Sequence, residues 1–302
     1  MSREEKGFIF DTDDGEVEVD IEEIKRLASE GSSNGQYALG MAHLFGWDVE
    51  QDPQKGFELL EKASESGHED AMTLLVRMFF SGDYNGIDEA KAVEYSRKGA
   101  DAGIADAQLF LGVAYLDGVT VEQDYAKAME LFRSSANQGN SEARNTLAYM
   151  YQQGLGTEKD ESKAVKLYKI AAAAGNLNAQ YQLGVCYETG AGITVNRKKA
   201  AEWYEKAAEQ GDPFSMDRLG ILYYGDSQDF PNDPKMSFEW FVMAAQRGLP
   251  DSMYTVGCYY VDGYGTEKNE SEARKWLNLA AEGGSISATG LLKEMDEEVE
   301  EK

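Results

Sequence analysis

The pattern of apolar and polar positions repeats along the chain every 36 residues, with one step of 37. The small residues that begin successive copies are Gly35, Ala71, Ala107, Ala143, Ala179, Ser215 and Ser252. In a typical copy a leucine follows four positions later and a tyrosine four positions after that, as in Ala179, Leu183 and Tyr187. This spacing puts the three side chains on one face of an α-helix. Each copy is therefore predicted to begin with a helix that buries one apolar stripe.

A second helix is predicted in the other half of each copy. Paired glycines such as Gly190 and Gly192 end the first helix and open a tight turn. A residue that can cap the next helix follows, at Asp52, Asp88, Asp124, Asp160, Asn196, Asp233 and Asn269. A second apolar stripe comes next, and it ends at Gly67, Gly103, Gly139, Gly175, Gly211, Gly248 and Gly283. The unit is thus a hairpin of two short antiparallel helices, which can bury its apolar face only by stacking on its neighbours.

Residues 179–211 carry the pattern A-x-x-x-L-G-x-x-Y-x-x-G-x-G followed by K-A-x-x-W-x-x-x-A-A-x-x-G. This pattern resembles the Sel1-like repeat, a relative of the tetratricopeptide repeat with a slightly longer unit. The chain departs from it in places, because His43 and Phe79 replace the tyrosine and Val76 and Ala148 replace the glycine after leucine. The resemblance implies an all-α, right-handed superhelical solenoid of about seven 36-residue helix–turn–helix repeats. It also implies that the first helices line a concave face where protein partners dock.

The repeats are predicted to occupy residues 35–287, with an acidic N-terminal arm and capping helix at 1–34 and a C-terminal capping helix and acidic tail at 288–302. Residues 20–31 match the second half of a unit, and Asp20 can cap that helix. The segments at 8–10 and 17–19 favour a small β-hairpin or an ordered arm. The acidic run from residue 296 onward is predicted to be frayed and solvated.

Charge narrows the range of partners. The chain has 29 Lys and Arg against 55 Asp and Glu, which gives a formal net charge of −26. Nucleic acids and anionic membranes both require clustered basic side chains, so we expect neither as a partner. A protein or peptide, possibly a basic one, is favoured. No apolar run has the length of a signal peptide or a membrane span, and the expectation is a cytoplasmic protein with reduced thiols at Cys186 and Cys258.

Candidate chemistry is sparse. His43 stands where other units have tyrosine and is expected in the core or groove, whereas His68 follows a helix-ending glycine and is expected to be exposed. Zinc, dinucleotide and phosphate-loop motifs do not occur, and the acidic segment at 11–22 does not match the spacing of a calcium loop. The sequence therefore predicts no catalytic residues, no metal site and no cofactor.

The positions of the first helices that lie off the buried stripe vary between units, as a recognition surface should. The predicted partner-binding residues are Tyr37, Leu44, Arg77, Phe80, Leu109, Phe110, Tyr149, Tyr181, Gln182, Arg218, Tyr224 and Tyr254. The leading hypothesis is a non-enzymatic scaffold or adaptor that binds a protein or peptide in this groove. The alternative is an inhibitory, immunity-type protein that masks one basic target, and a small-molecule binder or hydrolase is less favoured. The oligomeric state is left open.

Overall fold

The computed structural model describes the backbone of residues 3–4, 7–12, 15–81, 89–225 and 227–300, and the side chains of residues 19–79, 89–225 and 227–297. The chain divides into two compact units, Met1–Ala143 and Arg144–Lys302. In both units the described residues form antiparallel helix pairs of an all-α solenoid, and a short β-sheet precedes the first helix.

In the first unit the described residues form three strands and seven complete helices. They are β1 Arg3–Glu4, β2 Gly7–Thr12, β3 Gly15–Val19, α1 Ile21–Ser29, α2 Ser33–Phe45, α3 Pro53–Glu65, α4 Glu69–Ser81, α5 Glu89–Asp101, α6 Ala105–Asp117 and α7 Tyr125–Asn137. The strands pair antiparallel in the order β1-β2-β3, and Phe8 lies opposite Val19 in the hairpin of β2 and β3. The predicted β-hairpin is therefore present. Asp20 caps α1 by accepting a hydrogen bond from the Glu23 amide at 2.9 Å, as the sequence predicts.

The division between the units falls near the start of α8. The remaining helices are α8 Ser141–Gln153, α9 Glu161–Ala173, α10 Leu177–Thr189, α11 Arg197–Glu209, α12 Pro213–Tyr224, α13 Pro234–Gln246, α14 Pro250–Asp262, α15 Glu270–Glu282 and α16 Ile286–Glu300. Even-numbered helices from α2 onward are first helices of the repeat, and odd-numbered helices from α3 onward are second helices.

The second helices begin where the capping residues predict. Asp52, Asp160 and Asn196 each accept a hydrogen bond from the amide three residues later, at 3.0, 2.8 and 2.9 Å. Asp124, Asp233 and Asn269 make the same kind of bond. Each bond satisfies an amide that has no partner within its own helix. The remaining capping candidate, Asp88, lies outside the described residues.

The core between the two helices of a unit depends on one close approach. Ala179, Leu183 and Tyr187 are buried, as the stripe predicts. The ring of Tyr204 on α11 lies directly against Gly184 on α10, where an added Cβ would stand 2.5 Å from its Cε1. The glycine after leucine is thus a contact point for the second helix. Aromatic rings meet the equivalent glycine in two other units, with Phe132 against Gly112 and Phe241 against Gly220.

The turn between the two helices packs on the preceding unit. Gly192 has a φ of +70°, and a Cβ there would collide with the Glu161 carbonyl at the start of α9. The second helices close at glycines with positive φ, which are Gly67, Gly103, Gly139, Gly175, Gly211 and Gly248. The predicted glycine of the last unit is wrong by one residue. Gly283 has a φ of −75°, and Gly284, which keeps the 36-residue spacing from Gly248, has the φ of +92°.

The start of the C-terminal acidic run is solvated, as predicted, but it is helical rather than frayed. The run continues α16 as far as Glu300, and the Asp296 carboxylate lies 2.6 Å from Arg274 on α15. Arg274 also donates to the Met295 carbonyl at 3.2 Å. Two contacts with one guanidinium hold this turn of the helix, so the start of the run is docked on its neighbour.

Candidate functional site

In the second unit, four consecutive first helices present side chains that lie off the buried stripe. We call this set the first-helix face, and it includes the predicted residues Tyr149 on α8, Tyr181 and Gln182 on α10, Arg218 and Tyr224 on α12, and Tyr254 on α14. Tyr149 and Tyr224 are 45% and 55% exposed, and the other four are half-buried. The face therefore combines accessible aromatic rings with polar groups that are held in place.

A polar cluster joins the middle of this face to the core. The buried Tyr204 donates its hydroxyl to Glu188 Oε2 at 2.7 Å. Glu188 Oε1 lies 3.8 Å from Arg218 Nη1, and the ring of Tyr181 contacts that of Tyr204, with centroids 5.8 Å apart. Burial, reinforced by the bond to Glu188, raises the pKa of Tyr204, so its hydroxyl remains a donor. The core-side members of the cluster orient Tyr181 and Arg218, and the cluster connects α10 to α12.

Between α8 and α10 the face has a polar cavity of about 240 Å³. Asn145, Tyr149, Asn178 and Gln182 line it, with Tyr168 from α9 at its base. Amide side chains both donate and accept hydrogen bonds. This cavity is suited to the backbone or a polar side chain of a bound segment.

Between α12 and α14 lies a second cavity, of about 330 Å³, with an aromatic wall. Tyr224 and Tyr254 line it together with Tyr259 and Tyr264. The rings of Tyr224 and Tyr264 meet edge to face, with centroids 5.4 Å apart. Rings in this arrangement give a large contact area at little cost in conformational entropy. The structure thus brings two of the predicted residues, Tyr224 and Tyr254, into one pocket.

Comparison of the sequence and the structure with known proteins identifies the family of the chain. The Sel1 repeat family model matches seven consecutive segments, at residues 33–68, 70–104, 105–140, 141–176, 177–212, 213–249 and 250–285. The chain belongs to the Sel1 repeat family. Members of this family are in general scaffolds for protein–protein interaction.

Two solved Sel1 structures are similar over most of the chain. One is a protective antigen present in uropathogenic Escherichia coli strains, with 30% identity and a TM-score of 0.75 over 91% of this chain and 59% of that one. This chain thus spans about three fifths of the length of that protein. The other is a Sel1 repeat protein from Oxalobacter formigenes, with 30% identity and a TM-score of 0.75 over 91% of this chain and 79% of that one. A comparison with curated protein sequences gives no significant match.

In the first unit the described members of the predicted set are placed differently, since three of them pack against one core cluster. Tyr37 stacks on His68 with ring centroids 4.5 Å apart, and Leu44 and Phe110 pack against the core. Arg77 is exposed and its Nε lies 2.8 Å from Asp106 Oδ2. Leu109 is only 8% exposed, so this predicted contact residue is not accessible to a partner. The side chain of Phe80 lies outside the described residues.

The two histidines take structural positions in their repeats. His43 is buried and its Nδ1 lies 3.1 Å from the Glu50 carbonyl, in agreement with a core role. The prediction that His68 is exposed is wrong, because its ring is half-buried against Tyr37 and its Nδ1 accepts a bond from the Ala71 amide at 3.3 Å. Burial lowers the pKa of His68, which favours the neutral ring that can accept this bond.

Sequence reasoning missed Tyr259 and Tyr264 as lining of the cavity between α12 and α14. Tyr264 follows the end of α14, and Tyr259 is itself buried, so it supports the other rings from within. Tyr259 occupies the repeat position that holds Ala42, Met78, Ala114, Met150, Cys186 and Leu222 in the other six units. That substitution of a large ring for smaller side chains is visible in the sequence and was the available signal. It marks the last Sel1 unit as different from the other six.

Other kinds of site find little support in the structure. Within the described residues, no group of three or more His, Cys, Asp and Glu is placed to hold a metal ion. None of the helices in that part of the chain is long and apolar enough to cross a membrane. Cys186 and Cys258 are free thiols.

Proposed function

We propose that this Sel1 repeat protein is a non-enzymatic adaptor that binds a protein or peptide segment on the first-helix face of its second unit. The observation that carries the proposal is the continuous run of aromatic and amide side chains on α8, α10, α12 and α14, which borders two cavities. Aromatic rings and arginine are the residue types that contribute most at protein interfaces. A bound segment would place side chains in the two cavities and be held between them by polar contacts.

The charge of the chain supports a basic partner. A net charge of −26 attracts cationic molecules over distances of about 10 Å at moderate ionic strength. Such attraction raises the rate of encounter, whereas buried aromatic contacts slow dissociation. We therefore infer that salt weakens association mainly by lowering the association rate.

The state of the candidate nucleophiles supports the non-enzymatic part of the proposal. Burial raises the pKa of the Cys186 thiol to about 11, and burial also raises the pKa of Cys258. A cysteine nucleophile needs its thiolate form near neutral pH. The buried His43 ring lies against a backbone carbonyl. These groups are placed as packing residues.

Selection from a random peptide display library tests the proposal. The bait is the full chain, and it is compared with a Tyr149→Ala/Tyr224→Ala variant, in which both changed side chains are exposed. The matched control is Ile170→Ala/Met243→Ala, because these side chains are exposed on second helices. Circular dichroism verifies that all three proteins keep the same helix content.

We expect peptides selected on the wild type to bind the control equally and to lose at least about tenfold in affinity for the face variant, as truncation of aromatic anchors does elsewhere. Equal binding to the wild type and the face variant would contradict the proposal. Selection of peptides with no shared feature would also contradict it.

A further inference from the structure

The aromatic cavity between α12 and α14 has features that the rest of the face lacks. Its wall includes one carboxylate, Asp262, beside Tyr224, Tyr254, Tyr259 and Tyr264. Three of the rings are in mutual contact, because the Tyr259 centroid is 5.1 Å from that of Tyr264 and 6.4 Å from that of Tyr224. This group of four tyrosines and Asp262 is called the tyrosine cage below.

At least one hydroxyl of the cage, that of Tyr259, is satisfied within the protein. Ser237 Oγ donates to the Gly220 carbonyl at 2.7 Å, so the Tyr259 hydroxyl is the donor of its 2.7 Å bond to Ser237 Oγ. The face of a tyrosine ring carries partial negative charge. The wall is therefore an apolar surface whose tyrosine rings can attract a cation.

Helix geometry adds to this negative potential. Tyr224 is the last residue of α12 and Asp262 is the last residue of α14. The C-terminal end of a helix carries a partial negative charge, which favours cations and disfavours anions. Two helix ends, one carboxylate and the ring faces thus act in the same direction.

The part of the chain that the structure describes does not supply the cation that would complete this arrangement. Among the described side chains, no lysine or arginine lies over the rings of the cage or forms an ion pair with Asp262.

We propose that the tyrosine cage binds the side chain of one arginine or lysine in the partner polypeptide. This inference rests on the proposed function, since it names the side chain that a segment on the first-helix face inserts between α12 and α14. The cavity of about 330 Å³ lies at the lower end of the range for ligand pockets, which suits one long side chain. The alkyl part of that side chain packs on the rings, and its charged end pairs with Asp262.

Small probes test the cage without any knowledge of the partner. Protein with ¹³C-labelled tyrosine rings is titrated with N-acetyl-arginine methylamide, its neutral citrulline analogue and tetramethylammonium. We expect the arginine probe to shift the resonances that disappear in Tyr224→Leu and Tyr264→Leu proteins, and the citrulline probe to leave them in place. Equal shifts with the citrulline probe, or tighter binding of tetramethylammonium than of the arginine probe, would overturn the proposal.

Variants of the carboxylate sharpen the test. Asp262→Asn is expected to weaken binding of the arginine probe by about twofold to fivefold, the scale of one exposed charge pair. Asp262→Lys places a cation of the chain beside the rings and is expected to abolish binding. Asp251→Asn is the matched control, because Asp251 is exposed in the first turn of the same helix. A loss in the control equal to that in Asp262→Asn would exclude a specific role for Asp262.

The display experiment then separates this proposal from the proposed function. Selected peptides are expected to contain a basic residue whose replacement by citrulline lowers affinity for the wild type and not for Asp262→Lys. If the peptides need the first-helix face but tolerate that replacement, the cage proposal fails and the adaptor function stands. If no peptide needs the face while the arginine probe still binds the cage, the adaptor function fails instead.

Discussion

The Tyr204 hydroxyl donates to Glu188 Oε2 at 2.7 Å, and the same two positions of the preceding repeat hold Tyr168 and Gln152, whose oxygen atoms are 2.9 Å apart. In both pairs the tyrosine comes from the second helix and its partner from the last turn of the first helix. One pair has a charged acceptor and the other a neutral one. The repeat thus contains its own comparison between two kinds of hydrogen bond.

Removing the two hydroxyls should have unequal effects on stability. Tyr204→Phe is expected to lower the free energy of unfolding by about 1.5–3 kcal/mol, since its bond is to a carboxylate, and Tyr168→Phe by about 0.5–1.5 kcal/mol. Urea titration followed by circular dichroism measures both. In a Glu188→Gln background the cost of Tyr204→Phe should fall to that of Tyr168→Phe. An unchanged cost would show that the charge of Glu188 does not strengthen the bond.

The half-buried carboxylate of Asp217 should make stability depend on pH. Burial raises the pKa of Asp217 above its ordinary value of 3.8, although the Ser252 hydroxyl, which donates to it at 2.7 Å, acts in the opposite direction. A raised pKa means that the folded protein holds this proton more tightly than the unfolded chain. The contribution of Asp217 to stability is therefore greatest below pH 3.8 and declines as pH rises through the folded-state pKa.

Asp217→Asn removes this titration and keeps an oxygen that can accept from Ser252. The stability of the variant relative to the wild type should rise with pH across that window and level off above it. Urea unfolding at a series of pH values between 3 and 8, about one unit apart, measures the difference. A difference that is the same at every pH would rule out a raised pKa at Asp217.

Two glycines with positive φ should differ in their tolerance of alanine. Nothing lies within 4 Å of a Cβ built on Gly175, whereas a Cβ on Gly192 would collide with the Glu161 carbonyl. Gly175→Ala is expected to cost about 1–2 kcal/mol, the strain of the left-handed conformation alone. Gly192→Ala adds a backbone displacement and should cost more than about 3 kcal/mol. Thermal unfolding compares the two, and equal losses would mean that the turn moves freely away from α9.

The helix caps should tolerate exchange between Asp and Asn but not loss of the side-chain oxygen. Asp160→Ala should destabilise the protein by about 1 kcal/mol, because the Lys163 amide loses its acceptor. Asp160→Asn should cost much less, since Asn196 and Asn269 already occupy the same repeat position. Urea unfolding of the two variants provides the measurement. If both variants lose the same stability, the charge of Asp160 rather than its hydrogen bond is what matters.

The repeat made most of the fold predictable. The stripe of Ala179, Leu183 and Tyr187 and the caps at Asp52 and Asp160 follow from rules that act over four residues or fewer, so the sequence contains the whole signal. The error at Gly283 arose where two glycines stand together, because either one can adopt a positive φ. Only the geometry of the helix end selects Gly284.

The site was less predictable because burial depends on neighbouring units. Leu109 lies at a repeat position that is half-buried in Tyr37 and Tyr181, yet its own side chain is covered. His68 follows a helix-ending glycine, which suggests exposure, but Tyr37 covers its ring. The role of Tyr259 in the cavity was not predictable for another reason, because the same repeat position holds a core-packing residue in every other unit. Its role depends on a ring contact with Tyr224 from the preceding hairpin.

Side-chain bonds connect neighbouring first helices, and the distance between these helices determines how a bound segment contacts them. Glu188 and Arg218 connect α10 to α12, and Asp217 and Ser252 connect α12 to α14. Contacting helices lie about 8–10 Å apart, and an extended chain advances about 3.3 Å per residue. A segment that crosses α10, α12 and α14 therefore reaches a new helix after every third residue. The binding motif of the partner should therefore place a contact residue at every third position. Its basic residue should be the contact residue that lies over the tyrosine cage.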